Sequence, residues 1–130
     1  MIMALDHIQL AMPPGAEGEA RRFWAETLGL TEIAKPPPLD ERGGCWFAGP
    51  GTVIHVGVDQ DFTPQRRAHP GLVVRDLDLA RQTLVDHGFE VVEDQEAPAG
   101  VSRIYTADPF GNRIELLGPG SGFAGRSDHG

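Results

Sequence analysis

The chain repeats itself, and a repeat sets the unit of folding before any single element is assigned. In the first half, an alternating apolar segment at residues 5–12 precedes a helical pattern at 15–28 and strand-like runs at 31–34, 45–48 and 52–58. The second half runs in the same order: a strand at 68–74, a helix at 76–87, then strands at 90–93, 102–107 and 113–117. Leu28-Gly29-Leu30 matches His87-Gly88-Phe89, each a helix stop whose glycine can take the left-handed C-terminal cap conformation. Gly51 precedes His55 by four residues and Gly111 precedes Glu115 by four. His69 follows His7 by 62 residues and Glu115 follows His55 by 60. The spacing predicts an α+β fold of two tandem βαβββ modules, about 3–60 and 66–118, with a flexible tail at 119–130 that includes His129.

Both helical segments are amphipathic. Ala16, Ala20, Phe23, Trp24, Thr27 and Leu28 fall on one side of a 3.6-residue period, as do Leu77, Ala80, Leu84 and His87 less perfectly. Aromatic residues at helical spacing are read as core, with the helices on the outer face of mixed sheets. His87 is expected to act as a cation at a helix C-terminus. Residues 35–44, with three consecutive prolines and two glycines, are expected to form a mobile surface loop or lid. Asp108-Pro109-Phe110-Gly111-Asn112 reads as a tight turn.

Composition narrows the classes of function. A chain of 130 residues suits one domain. No run approaches the ~18 apolar residues of a membrane helix, and the N-terminus lacks the pattern of a secretory signal, so no membrane association and a cytoplasmic location are expected. Cys45 is the lone cysteine, which leaves metal binding within one chain to His and carboxylates. The net charge of −8, with 11 scattered Lys and Arg, argues against nucleic acid as a partner. A small molecule is the expected ligand.

Strand parity then selects side chains. If Ile8 and Leu10 lie under the helix, His7 and Gln9 point to the opposite, concave face. By the same alternation His55 leaves Ile54, Val56 and Val58, and Glu115 leaves Ile114 and Leu116. His69 shares its face with Gly71, which leaves space beside it, and with Val73. The expected metal ligands are therefore His7, His55, His69 and Glu115, which occupy equivalent places in the two modules. Imidazoles and a carboxylate gathered in an apolar cleft are costly without a compensating cation. Arg103 and Tyr105 share a strand face and are candidate substrate contacts, as is Gln9. The parity of Cys45, Trp46 and Phe47 is open.

Three segments carry a family resemblance: Leu5-Asp6-His7-Ile8-Gln9-Leu10, Phe23-Trp24-Ala25-Glu26-Thr27-Leu28-Gly29-Leu30 and Asp108-Pro109-Phe110-Gly111-Asn112-Arg113-Ile114-Glu115-Leu116-Leu117. Over residues 3–118 the chain resembles the vicinal oxygen chelate superfamily of glyoxalases, bleomycin-resistance proteins and extradiol dioxygenases. The resemblance implies sheets curved around a central cleft, a homodimer, and one divalent ion (Zn, Ni, Mn, Fe or Co). It places ligands at His7, His69 and Glu115, with a fourth, as in glyoxalase I, at His55. Glyoxalase I usually has glutamate at that fourth position, and bacterial members carry an arginine where this chain has Ala11. Both departures weigh against a glutathione hemithioacetal as substrate.

The expected activity is metal-dependent lyase or isomerase chemistry on a small substrate that chelates through vicinal oxygens, with Glu115 or a metal-bound hydroxide as the catalytic base. One alternative is an Fe(II) or Mn(II) extradiol-type dioxygenase built on a two-His, one-carboxylate triad. Another is a metal-free, bleomycin-resistance-type drug-binding protein.

Overall fold

The computed structural model describes residues 1–123. They fall into two compact units, Met1–Pro64 and the residues from Gln65 onward. Unit 1 runs β1 (Ile8–Met12), α1 (Glu17–Arg21), a π-helical turn (Arg22–Thr27), β2 (Thr31–Ile33), a 3-10 turn (Leu39–Glu41), β3 (Cys45–Gly49) and β4 (Thr52–Val58). Unit 2 runs β5 (Gly71–Val73), α2 (Leu77–Asp86), β6 (Val91–Glu93), β7 (Arg103–Ala107) and β8 (Arg113–Leu117). The sheets are ordered β1-β4-β3-β2 and β5-β8-β7-β6. In each, the first strand is parallel to the last and the other pairs are antiparallel. The expected α+β repeat of two βαβββ modules is the observed fold.

The alternation read from the sequence decides what is buried. In unit 1, Leu10, Met12, Ile54, Val56, Cys45 and Phe47 are buried from the strands, and Ala20, Phe23 and Trp24 from the helix. Phe23 and Trp24 meet edge-to-face, with ring centroids 4.9 Å apart. Large side chains buried in this way each stabilise by about 1.5–3 kcal/mol. In unit 2, Leu84 of α2 shares the core with Ile104, Ile114 and Leu116. Gly29 and Gly88 end the two helices with φ of 81° and 86°. This left-handed turn lets Leu30 N reach Trp24 O at 3.0 Å and Phe89 N reach Leu84 O at 2.9 Å. Asp76 caps α2 by accepting from Leu79 N at 3.0 Å. His87 bonds Thr83 O through Nδ1 at 2.8 Å, so its ring supports the helix end as a hydrogen-bond donor.

Local chemistry moves several boundaries. β1 starts at Ile8 and β5 at Gly71, so His7 and His69 precede their strands. Before Gly71 stands Pro70, which has no N–H for the ladder, although its carbonyl accepts from Glu115 N at 3.1 Å. The first helix changes to a π turn at Arg22, where Leu28 N bonds Phe23 O at 3.0 Å and the Thr27 hydroxyl donates to Arg22 O at 2.7 Å.

The 35–44 segment is tied down. Lys35 Nζ donates to the carbonyls of Arg42 (2.5 Å) and Gly43 (2.8 Å), and Gly44 N donates to Glu17 Oε2 at 2.8 Å. Of the expected flexible tail, Ser121 is buried and its hydroxyl accepts from Ser102 N at 3.0 Å. Residues 124–130, including His129, lie outside the described residues.

The turn at residues 108–112 is closed by a buried network. The Asp108 carboxylate accepts from Phe110 N (3.0 Å), Asn112 N (2.9 Å) and Asn112 Nδ2 (2.9 Å). Asn112 Oδ1 in turn accepts from Gln65 N at 3.1 Å. Burial pushes the Asp108 carboxyl above its usual range, although its bonds to Asn112 and the neighbouring backbone amides pull the other way. Among the described residues, no helix is long and apolar enough to cross a membrane.

Candidate functional site

In unit 1, β4 lies between β1 and β3 and carries His55. The register sets Gln9 on one side of His55 and Trp46 on the other. The His55 ring stacks on His7 at 4.0 Å (22° between planes) and on Trp46 at 3.8 Å (1°). The result is a three-ring stack. His7 Nδ1 is 2.8 Å from Asp6 Oδ2, so its Nε2 is the nitrogen left for a ligand role. Burial, with a smaller contribution from neighbouring His7, holds His55 below the ordinary imidazole range and favours the neutral, ligand-competent ring. Gln9 shares this face: a Cβ on Gly57 would come within 2.7 Å of Gln9 Nε2.

In unit 2, Glu115 is buried on β8, opposite Tyr105 of β7 and Gly71 of β5. His69 Nε2 lies 2.9 Å from Glu115 Oε1, and His69 Nδ1 lies 2.8 Å from the Arg67 carbonyl. A carbonyl only accepts, so Nδ1 carries hydrogen. In the neutral ring Nε2 is then a lone pair facing a carboxylate oxygen, and two acceptors at this separation require a proton or a cation between them. Arg103 NH1 donates to Glu115 Oε2 at 3.3 Å, which leaves Oε1 as the oxygen directed at His69. A methyl on Gly71 would meet Glu115 Oε1 at 3.8 Å, ordinary contact, so the glycine is not needed for clearance there.

The expected substrate contacts divide. Arg103 is committed to Asp94 as well as to Glu115, and the short ion pair lowers the Asp94 carboxyl and raises the guanidinium. Tyr105 faces the site side, with the Arg113 guanidinium 4.1 Å from its ring centroid and His69 edge-on at 5.9 Å. Among the described residues, no group of three or more His, Cys, Asp or Glu side chains able to hold a metal is found. Unit 1 brings His7 and His55 together, and unit 2 brings His69 and Glu115 together. Imidazole nitrogens and carboxylate oxygens, the donor types of these two pairs, are the ones that borderline divalent ions take.

Trp46 was not assigned to this face by sequence reasoning. The signal was available: Pro50-Gly51 is a two-residue turn with Gly49 opposite Thr52, and counting back from it sets Trp46 opposite His55.

A family model described as a glyoxalase-like domain matches residues 14–117. That stretch contains His55, His69 and Glu115 and begins after His7. A glyoxalase family protein from Bacillus anthracis is 48% identical, with a TM-score of 0.86, over 91% of this chain and 96% of that one. The fosfomycin resistance protein FosX from Listeria monocytogenes is 17% identical with a TM-score of 0.71, covering 100% of both chains. TnmS3, an antibiotic-binding protein from Streptomyces sp. CB03234, is 24% identical with a TM-score of 0.66, over 91% of this chain and 99% of that one. The last two likenesses speak to the fold. No curated protein matches the chain.

Proposed function

Since the chain belongs to the glyoxalase-like domain family, within the vicinal oxygen chelate superfamily, we propose that it is a metal-dependent lyase or isomerase acting on a small substrate with vicinal oxygens. The observation that carries this reading is the His69–Glu115 pair. His69 Nε2 lies 2.9 Å from a buried carboxylate oxygen while Nδ1 lies 2.8 Å from the Arg67 carbonyl, an arrangement that a proton or a cation between Nε2 and Oε1 would satisfy. His7, His55, His69 and Glu115 are the proposed ligands, supplied by modules of one chain or exchanged between copies in a homodimer. A divalent ion held by them would provide Lewis acidity and a template for two neighbouring oxygens. Glu115 is the proposed base. Arg103 donates to its outer oxygen at 3.3 Å, which leaves Oε1 as the oxygen to accept a substrate proton. Gln9 and Tyr105, on the same sheet faces as the ligands, would orient the substrate by hydrogen bonds.

The test is metal content of unchelated protein, followed by titration of stripped protein with Zn(II) or Ni(II). About one ion per chain is expected, with affinity falling at least ~10-fold in His7→Ala, His69→Ala and Glu115→Gln, as for loss of a needed ligand contact. Full retention in all three variants would sink the site. With His55 among the residues that would hold it, the ion would have less room for dioxygen beside a chelating substrate than at a two-His, one-carboxylate site, so the Fe(II)-loaded protein should not consume oxygen with catechols. Uptake that survives His55→Ala and vanishes in Glu115→Gln would leave a dioxygenase instead. The flat Trp46–His55–His7 stack favours antibiotic binding as the second reading. Sub-micromolar capture of a planar drug by metal-free protein would establish it.

A further inference from the structure

The 35–44 segment supplies none of the proposed metal ligands, yet it is folded against unit 1 beside β1, β3 and β4. Between them is a cavity of about 240 Å³. It is lined by Gln9 and Gly57 on the face that carries His55, by Val58 at the end of β4, and by Leu39, Arg42 and Trp46. Trp46 is also the indole that stacks on His55 at 3.8 Å. Gly57 lies two residues beyond His55 on the same strand face, about 7 Å along β4. Trp46 and the β4 face that carries His55 and Gly57 therefore connect the cavity to the ring stack, although His7 and His55 do not line it.

Charge supplies its chemistry. The chain carries 19 acidic and 11 basic residues, yet the lining of this cavity includes Lys35 and Arg42 and no carboxylate. Lys35 is committed to the Arg42 and Gly43 carbonyls, which fastens the loop as a fixed wall. Among the described residues, Arg42 forms no ion pair. Glu32 and Asp40 line a separate, smaller cavity of about 150 Å³ that shares Lys35, Arg42 and Trp46. The larger cavity is thus the one suited to a negative group, with Leu39, Trp46 and Val58 offering apolar contact to the atoms leading to it.

We propose that this cavity binds the anionic tail of the substrate, which joins its oxygen-chelating head at His55 through a short, partly apolar body to a carboxylate or phosphate at Arg42. The chelating head rests on the metal reading above. The anionic tail does not, so it can be tested on protein stripped of metal.

Hexanoate, hexyl phosphate, 1-hexanol and hexylamine are titrated into EDTA-treated protein and followed by tryptophan fluorescence, with Trp46→Phe as the control that should abolish the signal. The two anions are expected to bind at least ~10-fold more tightly than the alcohol or amine. Their order of affinity distinguishes a carboxylate from a phosphate tail. Arg42→Ala should weaken the anions at least ~10-fold and Arg42→Lys by less, with unchanged melting temperatures. Equal affinity for hexylamine, or hexanoate affinity within twofold of wild type in Arg42→Ala, overturns the proposal. Normal Zn(II) binding alongside that result leaves the metal reading intact. Selective anion binding without any metal affinity removes the metal reading and keeps the cavity.

Discussion

Replacing Asp108 with alanine tests whether the β7–β8 hairpin, which carries Tyr105 and Glu115, is held by its buried turn. Three donors lose their acceptor: Phe110 N, Asn112 N and Asn112 Nδ2, bonded at 3.0, 2.9 and 2.9 Å. Asn112 is only 1% exposed, so water does not replace the bonds at its two donors without opening the turn. At about 1–3 kcal/mol for each buried donor deprived of its partner, the loss is about 4 kcal/mol. That is a large part of the roughly 5–15 kcal/mol that holds a domain together. For 130 residues, an unfolding entropy of about 2.1 cal/mol/K per residue converts this into a fall in melting temperature of about 15 °C. Asp108→Asn keeps an acceptor for the two backbone amides and sets its amide against Asn112 Nδ2, so it should cost about 1 kcal/mol. Calorimetry on both variants, with denaturant titration as a second measure, reads the difference. A loss under ~1 kcal/mol in Asp108→Ala would refute the claim that this network holds the hairpin.

Because burial raises the Asp108 carboxyl, the folded chain holds its proton more tightly than the unfolded chain. The resulting stability is fully present below about pH 3.9 and is lost as pH rises through the raised value. Asp108→Asn should remove that slope from denaturation measured across pH 4–7, and an unchanged slope would assign it to other groups. Gly44→Ala would place a Cβ 2.3 Å from the Val56 carbonyl at φ 99° and should cost at least ~3 kcal/mol. In Gly57→Ala the near atom is the movable end of Gln9, at 2.7 Å, and the cost should stay under ~1 kcal/mol. Equal melting temperatures for the two variants would contradict this contrast. Trp46→Ala, which removes one side of the ring stack, should weaken Zn(II) binding about 3–10-fold while Trp46→Phe stays near wild type. Identical affinities in both would show that the stack does not position His55.

The repeat made the architecture legible because its landmarks are local: glycine after each helix, and alternation within each strand. Parity placed His7, His55 and Glu115 opposite the buried Leu10, Ile54 and Leu116 without any long-range information. Strand starts were harder to read because they depend on partners, and Pro70 shortens β5 only once β8 lies beside it. The π turn at Arg22 follows from a Thr27 hydroxyl bond that periodicity does not register. Arg103 read as a candidate substrate contact because Asp94, nine residues earlier, becomes its partner only when the chain returns along β7. The 35–44 segment read as mobile because proline runs lack regular hydrogen bonds. Its anchors are the two bonds of the Lys35 ammonium and the one accepted by Glu17, which no local pattern announces.

The pairing register also orders the events of folding. Within unit 1, Gln9 pairs with His55, 46 residues on, and within unit 2 Gly71 pairs with Glu115, 44 residues on. The hairpins β3–β4 and β7–β8 close over a few residues and can form early, whereas the parallel ladders must first overcome the entropy of a long loop. β1 and β5 are also edge strands, held on one side only. In each unit the strand that follows the first histidine is therefore the last to dock and the first to peel away. Its amides should exchange with solvent ahead of those in the antiparallel meander. A ligand that bridges His7 to His55, or His69 to Glu115, would fasten the least stable seam of its unit.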